Sequence, residues 1–128
     1  MPRPDSGYSA DWFHIGERDL DRAKRLLEDD DYPGAAFNVQ QAVEKHLKGY
    51  LLARGWKLRR VHDIEVLLNE AARLDVSFEE FREHGRKMTQ YYFEDRYPYI
   101  VASDLTREEI EASFAVAERI VGKTKSTS

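Results

Sequence analysis

Apolar residues recur at three- and four-residue steps through five segments of the chain, and nowhere do they alternate with the period of two that a half-buried strand requires. Trp12, Ile15, Ala23, Leu26 and Leu27 mark one face of a first helix from about Asp11 to Asp29. The run Asp30, Asp31, Tyr32, Pro33 and Gly34 ends it and starts the next, since proline suits a first helical turn. The second helix reaches about Arg54 with Ala36, Val39, Val43, Leu47, Tyr50 and Leu51 inward, and Gly55 closes it. After a loop, Asp63 is placed to cap a third helix carrying Ile64, Leu67, Leu68, Ala71 and Leu74. Ser77 with Glu80 has the spacing of a capping box and predicts a fourth helix with Phe78, Phe81, Gly85, Met88 and Tyr92 on its inner side. Thr106 with Glu109 repeats that spacing ahead of Ile110, Phe114, Ala117, Ile120 and Val121. Helices joined by short connections pack antiparallel to their neighbours, so the pattern predicts an all-α, up-and-down bundle of about five helices.

At 128 residues the chain is read as one domain spanning 1–128, with an ordered core of about 11–121 and ends that fray. Hydrophobic residues make up 41% and charged residues 34%, the mixture produced by helices with one apolar stripe and one wet face. The formal net charge of −4 excludes coating nucleic acid by bulk positive charge, so any anion must be held locally. There are no cysteines, which removes disulfides, zinc–thiolate sites and thiol nucleophiles. The start of the chain lacks a signal-peptide pattern and no apolar run approaches membrane-spanning length, so a cytoplasmic protein without membrane contact is expected.

Two polar residues interrupt the apolar stripes. Asp19 falls between Ile15, Ala23 and Leu26, and Gln40 between Ala36, Val43 and Leu47. A buried amide without a partner costs about 1–3 kcal/mol and a lone carboxylate more, so both are expected to be buried and hydrogen-bonded. Glu44, one turn beyond Gln40, lies at the edge of the same stripe. These three either fix helix register or line a polar cleft. Gly85, at the centre of an apolar face, predicts a close backbone approach.

Two further stretches carry candidate chemistry. Residues 54–62 read Arg-Gly-Trp-Lys-Leu-Arg-Arg-Val-His, four permanent cations and no acid at the entry to a helix. That is either a solvated loop or an anion site built on Arg59, Arg60 and His62, the histidine adding pH dependence. Residues 91–99 place five aromatics around Arg96, with Tyr97 beside it. An aromatic next to a cation can stack a base and hold a phosphate, although aromatics also serve packing and interfaces.

The stretch Asn38-Val39-Gln40-Gln41-Ala42-Val43-Glu44-Lys45-His46-Leu47-Lys48 resembles the second-helix signature of HEPN domains. Asp19-Leu20 with Ala23 upstream, His62-Asp63 with Leu67-Leu68 in the middle and Arg96-Tyr97-Pro98 downstream follow that family's order, so the resemblance covers roughly residues 11–121. It implies a four-helix-bundle-like HEPN fold that commonly forms a homodimer. It also implies association with nucleotides or RNA, and a minimal nucleotidyltransferase as partner in a toxin–antitoxin-like module. Other members resembled are metal-independent ribonucleases, whose site needs an arginine followed after about four to six residues by a histidine. None of His14, His46, His62 or His84 has an arginine at that distance before it. None has a glutamate three residues before it either, which removes the di-iron pattern of helical bundles.

The expected function is therefore a nucleotide- or nucleic-acid-associated binding protein without a cofactor or metal. Its alternatives are a ribonuclease with a nonstandard site and a purely structural bundle. Five aromatics in residues 91–99 exceed what one small core hides, which adds to the expectation of a homodimer. Light scattering at micromolar concentration should give twice the mass of the chain; the mass of a single chain would contradict this.

Overall fold

A computed structural model describes residues 8–96 and 105–126, with side chains described through residue 92 in the first stretch and residue 125 in the second. Five α-helices and one 3-10 helix lie among the described residues, with no strand: α1 (Ser9–Glu28), α2 (Tyr32–Leu52), α3 (Ile64–Leu74), the 3-10 helix Val76–Phe81, α4 (Arg82–Arg96) and α5 (Arg107–Ser126). No helix among them is long and apolar enough to cross a membrane.

The all-α bundle anticipated from periodicity is the fold, and α2 is its axis. This helix packs against α1, α3, α4 and α5, so it has no wholly wet face. Ala36, Val39, Val43, Leu47, Tyr50 and Leu51 are all buried on it, as are Asn38, Gln40, Glu44, His46 and Lys48. A helix enclosed on most sides must satisfy its polar groups internally. His46 bonds the Ala42 carbonyl oxygen at 2.8 Å and the Glu17 carboxylate of α1 at 3.1 Å, and Glu17 in turn pairs with Lys125 of α5. Three helices are tied together at that end.

The termini obey local chemistry. Asp31 caps α2 by accepting from the Gly34 N–H, with Pro33 in the first turn. At the other end the Trp56 N–H bonds the Leu51 carbonyl oxygen, and Gly55 takes a φ of 91°, a left-handed conformation that glycine adopts without steric cost. Asp63 caps α3 through the N–H groups of Glu65 and Val66. Thr106 accepts from the Glu109 N–H at the start of α5, while the Glu109 carboxylate pairs with Lys87 of α4 instead of turning back to close a capping box.

Three expectations are corrected. Ser77 does not cap a helix: Asp75 does, accepting from both the N–H and the hydroxyl of Ser77, and the element it opens is a 3-10 turn that precedes α4. Leu74 is 55% exposed, because α3 ends there and turns its last leucine outward. On α4 the core aromatic is Tyr91, whose hydroxyl meets the Ser113 hydroxyl at 2.8 Å, while Tyr92 is only half-buried. Gly85 and Tyr92 share one face of α4, which meets α3 and His62, whereas Tyr91 points to Ser113 of α5 and is covered there.

Gly85 allows α4 to lie close to α3, chiefly through side chains. A Cβ there would stand 2.6 Å from Leu68 Cδ1 and 3.1 Å from Ile64 Cγ2, both in fully packed surroundings. Alanine in a helix interior gains about 0.5–1 kcal/mol over glycine. Overpacking costs about 1–3 kcal/mol and should win. Gly85→Ala is therefore expected to lower the urea midpoint with little change in slope; an unchanged or raised midpoint would contradict this close approach.

Candidate functional site

The polar residues on α2 are spaced so that Gln40, Glu44 and Lys48 stand one above another, four residues apart. Glu44 is 1% exposed and nevertheless fully engaged. Its Oε1 accepts from Gln40 Nε2 at 3.0 Å and from His62 Nδ1 at 3.0 Å; its Oε2 accepts from Lys48 Nζ at 3.1 Å and, more weakly, from Lys45 Nζ at 3.5 Å. Burial pushes this carboxyl up, but Lys45, Lys48 and His62 together outweigh it and hold Glu44 below the ordinary carboxylate range. Glu44 is thus an ionised group without free lone pairs.

Gln40 completes the arrangement. Besides bonding Glu44, its Nε2 donates to the His62 carbonyl oxygen at 3.1 Å, and its Oε1 accepts from Gln41, which in turn accepts from Lys45. The amide holds the backbone of residue 62 and the carboxylate holds its ring. The end of the basic loop is therefore fastened to α2 at two points, and the α3 cap at Asp63 comes immediately after it. On α4, Thr89 accepts from the Ile64 N–H at 2.9 Å, and Tyr92 stacks on the His62 ring with centroids 4.6 Å apart and planes 13° apart.

In front of this network lies a cavity of about 420 Å³. Trp12 contributes from α1; Glu44, Lys45 and Lys48 from α2; Leu58, Arg59, Arg60 and His62 from the loop. Lys48 Nζ lies 5.3 Å from the centre of the Trp12 ring, a distance at which the indole face attracts an ammonium. Burial pulls the Lys48 ammonium below the usual lysine range, and Glu44 only partly offsets this. Arg59 pairs with Glu70 at 3.7 Å, whereas Arg60 is exposed and has no ion-pair partner among the described residues. The lining presents two lysines, two arginines and an imidazole to the space, against one carboxylate already saturated from behind. No group of histidines and acids placed to hold a metal occurs among the described residues.

Of the residues singled out by sequence, Arg59, Arg60, His62 and Glu44 come together here, with Gln40 directly behind. Asp19 stands apart. It is half-buried on α1, burial raises its carboxyl above the ordinary value while Lys45 and Arg22 pull it back, and no described residue hydrogen-bonds its side chain. Tyr97 lies outside the described residues, and Arg96 ends α4 with its side chain outside them. Trp12, Lys45 and Lys48 were missed as site residues, although the four-residue ladder that carries Lys48 is visible in the sequence, with Lys45 beside it.

The sequence profile of the HEPN domain matches residues 9–127. Among solved structures, TT1696 from Thermus thermophilus is 31% identical, with 98% of each chain covered and a TM-score of 0.82. ST0689, an archaeal HEPN homologue, is 26% identical, with 94% of this chain and 97% of that one covered and a TM-score of 0.75. No curated protein matches.

Removing one partner of a buried, bonded ion pair costs about 3–5 kcal/mol, because the other charge is left without compensation. Glu44→Gln should destabilise the protein by that order, and Glu44→Leu combined with Lys48→Met should recover most of it. The pH dependence follows from the sign of the shift. The folded-state value of Glu44 is depressed, so its contribution is complete above the unfolded value and is lost as pH falls through the folded one. Urea titrations at neutral and acid pH should show this acid loss in the wild type and a smaller one in Glu44→Gln. Equal acid sensitivity in both would contradict an ionised, bonded Glu44.

Proposed function

The chain belongs to the HEPN domain family, and we propose that it binds phosphate-bearing ligands, a nucleotide or the RNA backbone, in the cavity between α2 and the basic loop. One observation carries this reading: in a protein with a net charge of −4, Lys45, Lys48, Arg59 and Arg60 converge with His62 on a single half-enclosed space. The cavity falls in the usual size range of small-ligand sites, and the Trp12 and Leu58 side chains give it apolar wall as well as charge. Arginine forks match phosphate oxygens in pairs, and the lysine ammoniums add compact charge opposite them. Arg96 and Tyr97 are a second candidate contact from the aromatic segment.

The family supports a wider setting. In this reading the protein is a homodimer and the small partner of a separately encoded minimal nucleotidyltransferase, in a toxin–antitoxin-like module acting in the cytoplasm. Co-purification with that enzyme, if a gene for it lies beside this one, is the test of that partnership.

Calorimetry with ATP, GTP and a short single-stranded RNA at two salt concentrations tests the pocket. Affinity is expected to fall steeply with salt, and Arg59→Ala with Arg60→Ala should weaken binding and flatten the salt slope by about one unit per lost contact. Binding weaker than about millimolar for all three ligands, or a double variant indistinguishable from wild type, would remove the proposal. The same RNA incubated in chelator should stay intact, because the arginine and histidine spacing of the nucleases is absent. Cleavage lost in His62→Asn would replace binding with catalysis.

A further inference from the structure

The bond between His62 and Glu44 decides which edge of the imidazole faces a ligand and what that edge can do. An ionised carboxylate only accepts, so Nδ1 must carry a proton to bond Glu44 Oε1 at 3.0 Å. The Tyr92 ring covers one face of the imidazole, and the ring is held in place by that stack and by the carboxylate. What remains is the Nε2 edge, which no described residue bonds, on a side chain 46% exposed and lining the cavity. With Nδ1 already protonated, the neutral ring offers a lone pair at Nε2. That lone pair repels a phosphoryl oxygen. Only the doubly protonated ring can donate to one.

Resting on the reading of this cavity as a phosphate site, we propose that His62 Nε2 contacts the bound phosphoryl group, and that binding takes up a proton there, with Glu44 as the positioning residue that enforces it. A diester, which has no proton of its own near neutrality, draws this proton from solvent onto Nε2. A monoester bearing a P–OH brings it along, so that in either complex one proton lies between Nε2 and the phosphoryl oxygen. The charges around the ring set the balance. Lys45 and Lys48 from α2 and Arg59 and Arg60 from the loop oppose a further positive charge. Glu44 favours it, Asp63 beside it has its carboxylate committed to the α3 N–H groups, and Tyr92 meets the ring by stacking. In the empty site Arg59 is already paired with Glu70 and the other cations face Glu44; the arriving phosphate adds a further negative charge beside the ring, which favours a proton on Nε2. Affinity for diesters therefore weakens as pH rises.

The test is calorimetry on the full chain with the dinucleotide UpU, whose single phosphodiester does not titrate near neutrality, in two buffers of different ionisation enthalpy. The wild type is expected to take up a large fraction of one proton near pH 7, and by linkage its affinity falls by more than about tenfold between about pH 6 and about pH 8. His62→Asn, whose amide still donates toward Glu44, should bind UpU more weakly with neither proton uptake nor pH dependence. Binding of UpU to the wild type without proton exchange overturns the inference and leaves the phosphate site standing. Uptake that persists in His62→Asn also overturns it, by placing the proton elsewhere, as on Lys48. If UpU gives no heat at either pH, the phosphate reading fails and this inference fails with it.

Discussion

A carboxylate taken out of water must be given several donors or it will neutralise, and the placement of Glu44 inside the bundle imposes that demand on everything near it. Four donors meet it: Gln40 from one turn before, Lys48 from one turn after, the adjacent Lys45, and His62 from across the fold. Three of them sit on α2 and come with the helix. The fourth does not, and recruiting it draws the end of the basic loop onto α2. The loop's arginines are thereby brought opposite the two lysines, and the cavity between them is a consequence of satisfying one buried charge.

This arrangement couples local structure to folding and to chemistry. Gln40 fixes the backbone at residue 62, so the next residue, Asp63, is in position to cap α3. Helix α3 then packs against α4, whose Tyr92 returns to stack on the same histidine. The circuit from α2 through the loop, α3 and α4 back to the site closes on His62. A half-exposed histidine held by a carboxylate, a carbonyl contact and an aromatic stack has little orientational freedom, so its free edge is pre-organised.

Much of this was legible in the residues. The period of 3.6 and the caps at Asp63 and Thr106 gave the helices, and Gln40 stood out because an amide does not belong in an apolar stripe without a partner. The partner itself was not legible, since it lies 22 residues away and nothing in the loop's composition says that its backbone returns to α2. Glu44 looked marginal for a related reason. A helical wheel ranks positions against one inward direction, and α2 is enclosed by four helices, so its edge positions are interior too. The inverse error fell on Asp19, where an apolar-stripe position on α1 proved only half-buried. Tyr91 is buried although it lies off the face that Gly85 and Tyr92 share, because α5 covers a second side of α4, and the spacing within one helix does not show which neighbours will cover it.

Glu44 is an ionised carboxylate, buried and held by its donors, around which the cationic cavity is assembled. The ¹³C chemical shift of its side-chain carboxyl, followed against pH in the free protein, measures this most directly. Its titration midpoint is expected below that of a free glutamate, because Lys45, Lys48 and His62 outweigh desolvation. A midpoint at or above the free value, the result that burial alone would produce, would contradict it.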